Sequence, residues 1–232
     1  MNAINHAATA LLLKKRWPGL PLIPALVSVQ LIEFFWVFLN LAGVEVTTIE
    51  SPVRAMNDIH LSHMPYSHSV GSVLLIAGLA WLLLRTVAKR PAWAIPIAVG
   101  ICSHIVLDIL VHARDIEVFP GLTVFKIGSG LYDVPVFALA AELLFAVFCW
   151  RVYGGSRALL WTLVGLNLTA ISFYVPQIPG PEMLLAGHPK VFATVVLTQI
   201  VLGLWVVGFF LKRAESVPPF EGAAAPSVRL HN

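Results

Sequence analysis

Residues 92–112 read AWAIPIAVGICSHIVLDILVH, an apolar run interrupted by His104 and Asp108. A membrane-spanning helix needs about 20 mostly apolar residues, and this run is long enough. Placing an ionisable side chain at the centre of a bilayer costs about 2.5–3.5 kcal/mol on insertion scales. This run carries two, and they stand at i and i+4, where both lie on one face of a helix. The segment therefore gives both a fold class and a place to look for function.

Working outward from it, five further segments approach spanning length: 20–43, 68–84, 134–152, 158–175 and 191–211. A shorter apolar piece, Ala3 to Leu13, precedes them. The whole chain of 232 residues is 58% hydrophobic and 12% charged, with a mean hydropathy of +0.84. A soluble domain carries about 25% charged residues, so half of the usual surface charge is missing and lipid is the natural solvent. The expectation is an all-α, polytopic transmembrane helix bundle of six long spans plus a short N-terminal membrane helix. That domain covers residues 1–213, and 214–232 form a disordered cytoplasmic tail rich in Ala, Pro and Ser.

Charge sets the orientation. Lys14, Lys15, Arg16, Arg85, Lys89, Arg90, Arg151, Arg157, Lys212 and Arg213 fall on one side of the spans. Only Arg54, Arg114, Lys126 and Lys190 fall on the other, among acidic residues. The positive-inside rule makes the first set cytoplasmic, which puts the C-terminus in the cytoplasm of, most naturally, a bacterial inner membrane. The net charge of +3 sits in short clusters between apolar runs. That distribution suits membrane topology and excludes a nucleic-acid-binding stripe. Cys102 and Cys149 lie inside apolar runs and read as small buried hydrophobes. The bilayer is the partner that the composition implies, and it leaves the oligomeric state open.

Five of the apolar segments carry an ionisable group inward. At about 1.5 Å rise per residue, His6 lies roughly 12 Å from Lys14, and Glu142 roughly 13 Å from Arg151. On the same scale His104 is roughly 18 Å and Asp108 roughly 24 Å from Ala92, Glu33 is roughly 20 Å from Leu20, and His68 is roughly 25 Å from Arg85. Gathered around one pocket, these groups can satisfy each other or a cation. That is the reason to insert Ala3–Leu13 across the bilayer: only then does His6 join the others. Plainer readings stand beside this one. His104 and Asp108 can be a simple hydrogen-bonded pair, Glu33 can hold helices together, and Glu142 can serve either as support or in catalysis. His60 and His63 read as solvated loop residues.

Several of these stretches resemble a family of bacterial membrane-bound metal-dependent hydrolases. They are the N-terminal helix with His6, the segment ending Leu-Ala-Gly-Val-Glu (Leu41 to Glu45), Pro-Tyr-Ser-His-Ser (Pro65 to Ser69), and Ser-His-Ile-Val-Leu-Asp (Ser103 to Asp108) followed by His112, Asp115 and Glu142. The resemblance covers residues 1–153. It departs from the family at Glu33, where relatives carry Asp, and at Gly130-Leu131-Tyr132-Asp133, where they carry a Gly-Leu-Trp-Asn-like stretch. The family label implies hydrolysis and names no substrate. On the residues themselves, the expectation is a divalent ion, zinc by donor type, held by His6, His68, His104 and Asp108 with Glu33, and activating a water. Glu142 or Asp115 would act as base or as orienter of a ligand, and the depth of the site in the outer half of the bilayer suggests a lipid-linked or amphipathic substrate. The alternative from a different class is a metal- or proton-handling transporter, since intramembrane His and acidic residues also mark ion pathways.

Overall fold

A computed structural model describes residues 1–215 apart from 52, 123, 176, 179 and 181–183. Among these residues the chain forms seven α-helices and two small hairpins. The helices are α1 (Ala3–Arg16), α2 (Leu22–Ala42), α3 (Val70–Thr86), α4 (Pro91–Ile109), α5 (Pro135–Tyr153), α6 (Arg157–Leu168) and α7 (Pro189–Glu215). Strands β1 (Val46–Ile49) and β2 (Ile59–His63) pair antiparallel, as do β3 (Ile116–Glu117) and β4 (Lys126–Ile127). The stretches between spans that read as plain loops thus contain short sheets.

Four helices are long and apolar enough to cross a membrane: α2, α4, α5 and α7. The other expected spans are shorter. Helix α3 has 17 residues, because Ser69 caps it by accepting from the Ser72 N–H and leaves His68 outside the helix. Helix α6 has 12 residues, about 18 Å, against a hydrocarbon core of about 30 Å. Its apolar run continues, but after Leu168 the backbone turns through a 3-10 segment at Ile171–Phe173. The turn brings the buried Tyr174 hydroxyl back to Asn2 and Glu142. Helix α4 stops at Ile109, so His112 lies just beyond it. At the other end of the chain, α7 takes in Ala214 and Glu215; the rest of the expected tail lies outside the described residues.

The N-terminal piece is the centre of the molecule. Helix α1 packs against α2, α4, α5, α6 and α7, and every residue from Ala3 to Leu11 is buried. Small side chains make this possible: Ala7, Ala8 and Ala10 are fully buried and let five helices approach one axis. Helices α2 and α4 also meet closely, since a Cβ at Gly100 would collide with the Ser28 side chain.

Outward faces carry the opposite pattern. Leu75, Leu79 and Leu82 on α3, Phe137, Leu144 and Phe148 on α5, and Leu202, Trp205 and Phe209 on α7 are all exposed. A belt of large exposed apolar side chains around a bundle with a buried polar interior fits a hydrocarbon surround.

Candidate metal centre

The polar interior is assembled from four separate pieces of chain. Helix α1 contributes His6, α2 contributes Glu33, the turn before α3 contributes His68, and α4 contributes His104 and Asp108. The His104 side chain is fully buried, and those of His6, His68, Asp108 and Glu33 are 14% exposed or less.

Glu33 Oε2, His68 Nε2 and His104 Nε2 form a nearly regular triangle with sides of 3.4, 3.5 and 3.4 Å. Zinc with N and O ligands has bonds of about 2.0–2.2 Å, so neighbouring ligand atoms on a tetrahedron stand about 3.3–3.6 Å apart. The triangle matches one face of such a tetrahedron. Asp108 Oδ2 is 3.1 Å from His104 Nε2 and 3.7 Å from His68 Nε2. On the other oxygen, Asp108 Oδ1 is 3.2 Å from His6 Nε2 and accepts from the Met1 α-ammonium at 2.7 Å. Two triads can each gather their ligand atoms within 4.8 Å: His6, His104 and Asp108, and Glu33, His68 and His104.

Hydrogen bonding alone leaves this group unsatisfied. Glu33 Oε2, Asp108 Oδ2 and both ring nitrogens of His6 are buried and make no hydrogen bond. His104 Nε2 and Asp108 Oδ2 stand 3.1 Å apart, near enough for a plain pair, and such a pair still leaves Glu33 Oε2 and the His6 nitrogens over. Buried polar atoms are almost always paired, so several orphans within one cluster of ligand-type side chains fit a bound cation.

His68 is held in a defined tautomer. Glu45 Oε1 accepts from the backbone N–H groups of Tyr66 (2.8 Å) and Ser67 (2.9 Å), and its Oε2 accepts from the Ser67 hydroxyl. Ser67 has a single proton and gives it to Glu45. Its Oγ, 2.9 Å from His68 Nδ1, must therefore accept the Nδ1 proton. Nε2 is left with a free lone pair directed into the triangle, the arrangement that metal-ligating histidines adopt. Neither Ser67 nor Glu45 stood out as functional from residue type, although both lie in stretches that carry the family resemblance.

The two residues expected to act in catalysis stand apart from the triangle. Glu142 is fully buried at the N-terminus of α1. It accepts from the Asn2 backbone N–H (3.0 and 3.2 Å), from Asn5 Nδ2, and from the Tyr132 and Tyr174 hydroxyls (3.2 Å each). Asn167 of α6 joins through Asn2 and Asn5. The carboxylate thus faces the positive end of the helix dipole, and its oxygens are committed to holding Met1 to His6 in place. Asp115 lies in the turn leading to β3. It accepts from the Leu61 N–H of β2 at 3.1 Å, and its Oδ1 is 3.8 Å from His112 Nδ1. Burial pushes its carboxyl above the ordinary Asp range, opposed by the Leu61 N–H. His60 pairs with Glu50 at the surface, away from the cluster.

A cavity of about 250 Å³ opens onto the cluster. Its lining includes Glu33, His68, Asp108 and His112, the apolar Trp36, Phe173, Leu185, Phe192 and Val196, and the polar Asn2, Thr169, Ser172 and Gln199. The hairpin of β1 and β2 covers it with Thr47, Ile59 and Leu61. His112 is fixed there by backbone contacts: its carbonyl accepts from the Gly130 N–H at 2.8 Å. A side chain at Gly128 would strike the Ala113 carbonyl, so only glycine fits beside this turn.

No protein-family model, no curated protein and no solved structure matches the chain.

Proposed function

We propose that this chain is a membrane-embedded, metal-dependent hydrolase acting on an amphipathic substrate. The observation that carries the reading is the triangle of Glu33, His68 and His104, flanked by orphaned oxygen and nitrogen atoms of Asp108 and His6. The donor set of imidazoles and carboxylates suits zinc. A divalent ion there supplies Lewis acidity and a water of lowered pKa. The chain's own residues do the rest. Ser67 and Glu45 fix the His68 tautomer, Glu142 anchors the segment that presents His6, and Asp115 stands behind His112 at the cavity wall. In this reading Glu142 is a positioning residue, not a base. The resemblance to membrane-bound metal-dependent hydrolases points the same way, and a cavity lined by both apolar and polar side chains suits an amphipathic molecule with a hydrolysable head.

Ion transport is the weaker reading. From Ala7 to Leu13, α1 is sealed by an apolar cluster that includes Leu26, Ala146, Leu159, Leu163 and Leu211. A closed floor suits a reaction chamber better than a conduit. The test is hydrolysis of ester and phosphoester lipids in mixed micelles by the purified full chain. Activity should vanish with a strong chelator and return with Zn²⁺; rates indifferent to metal would refute the assignment.

The proposal extends to topology. Helix α3 and the stretch from α6 to Tyr174 complete six crossings around α1 in a bacterial inner membrane. The α3–α4 turn and the end of α7 are cytoplasmic, because ten of the fourteen basic residues outside the tail fall on that side. A Val87→Cys variant, with Cys102 and Cys149 replaced, should resist an impermeant thiol reagent in intact cells. Labelling from outside would invert the topology.

A further inference from the structure

Asp108 offers its two oxygens to two different sets of nitrogens. Oδ2 faces His104 at 3.1 Å and His68 at 3.7 Å. Oδ1 faces His6 Nε2 at 3.2 Å and His112 Nε2 at 3.8 Å. A ligand serving one ion needs only one oxygen aimed at nitrogen donors. A carboxylate with imidazoles on both sides has the form of a bridge.

Ring geometry supports the same conclusion independently. The His6 and His104 imidazoles stack with an interplanar angle of 18° and centroids 3.9 Å apart. Their Nε2 atoms lie against opposite oxygens of Asp108. Two nearly parallel rings placed in this way aim their lone pairs at two points separated by about the ring spacing. Hydrolytic two-metal sites hold their ions about 3.5–4 Å apart, which is that spacing.

His6 supplies the third observation. It is 1% exposed and neither ring nitrogen has a hydrogen-bond partner. The Glu33–His68–His104 triangle does not use it. A single ion at that triangle leaves His6 with only its approach to Asp108 Oδ1 at 3.2 Å, and a second ion gives it the role of a ligand.

We infer that the centre is binuclear, with one divalent cation at the Glu33–His68–His104 face and a second on Asp108 Oδ1 between His6 and His112. Asp108 bridges the two. The second position borders the cavity, which His112 lines, so it meets substrate. A pair of ions at this spacing can clamp the attacking and departing oxygens of a displacement. The Met1 α-ammonium donates to Oδ1 at 2.7 Å, so it must withdraw from that oxygen for the second ion to bind. The competing account is that the ammonium alone balances Oδ1. The inference rests on the metal-binding reading above, and the test separates the two.

Full-length protein in detergent is loaded with excess Zn²⁺ or Mn²⁺, desalted, and its metal counted by mass spectrometry. The parent should retain two ions per chain, and His6→Ala and His112→Ala one each. His112 is the less buried of the two, so its variant guards against a folding failure at His6. The Mn²⁺-loaded parent, which needs no substitution at all, should give the paramagnetic resonance signature of a spin-coupled pair. His112→Ala should give the six-line spectrum of an isolated ion. One ion in the parent with an uncoupled spectrum overturns the binuclear centre and leaves the hydrolase reading standing. No retained ion in the parent overturns both. Two ions in the parent and in both variants would put the second ion elsewhere and overturn the assignment to His6 and His112.

Discussion

Asp108→Ala is expected to strip the folded protein of essentially all its metal, from parent stoichiometry to below about a tenth of an ion per chain, and to abolish hydrolysis with it. The carboxylate touches every imidazole in the cluster: His6, His68, His104 and His112 all lie within 3.8 Å of one of its oxygens. Removing it takes a ligand and also the negative charge that makes a buried group of imidazoles tolerable around a cation. The combined change His104→Ala with Asp108→Ala should add little to either alone, because residues acting on one centre behave as a unit. The plain hydrogen-bonded pair makes a different forecast. There the single change leaves one buried group unsatisfied, at about 1–3 kcal/mol of stability, and metal content does not move. A monodisperse Asp108→Ala protein with the parent's full metal content would remove the basis for a hydrolase.

The second large effect is on stability. Glu142→Ala should destabilise the protein by about 2 kcal/mol or more, read as a lowered unfolding midpoint in detergent. The Asn2 N–H and the Tyr132 hydroxyl end on this carboxylate, whereas Asn5 also donates to the Glu142 carbonyl and to Asn167, and the Tyr174 hydroxyl also reaches Asn2 Oδ1. Each buried donor left unsatisfied costs about 1–3 kcal/mol. Glu142→Gln should lie between, since it keeps one acceptor oxygen but turns an NH₂ group toward donors. The pair of variants also separates anchoring from catalysis. Were Glu142 a base, Glu142→Gln would keep the parent's midpoint and metal content and lose only turnover. As an anchor of α1, it should lose midpoint and metal affinity together, with turnover following metal occupancy.

The sequence makes the His104–Asp108 face legible because charged groups one helical turn apart in an apolar run have few innocent explanations. His6 is legible for a less direct reason: an inserted N-terminal helix is the only way for it to reach the other ionisable groups. The role of Glu142 is not legible. Its partners are neutral polar residues scattered along the chain, Asn2, Asn5, Tyr132 and Tyr174, with Asn167 behind the two asparagines, and nothing in an apolar run marks an Asn as one end of a buried network. The shortness of α6 is hidden as well. Hydropathy reports the composition of 158–175, which stays apolar, whereas the helix ends where Tyr174 must turn back to Glu142. The hairpin of β1 and β2 escapes for a third reason. Strands of four and five residues have little intrinsic preference to detect, and they are ordered by what they cover. The Ser67–His68–Glu45 relay lay within the quoted stretches but needed geometry to assign the proton.

The burial of α1 also governs how the protein must be made. Helix α1 is made before α5, α6 and α7, which are among its final neighbours, and α7 begins only at Pro189. At about 5–20 residues per second of synthesis, roughly ten seconds or more separate the first helix from the last wall around it. During that interval the Glu142 anchor is missing at first, since it arrives only with α5. Every proposed ligand, from His6 to His112, lies before α5, so the ligand set is made early, whereas the walls that bury α1 close only once α7 has been made.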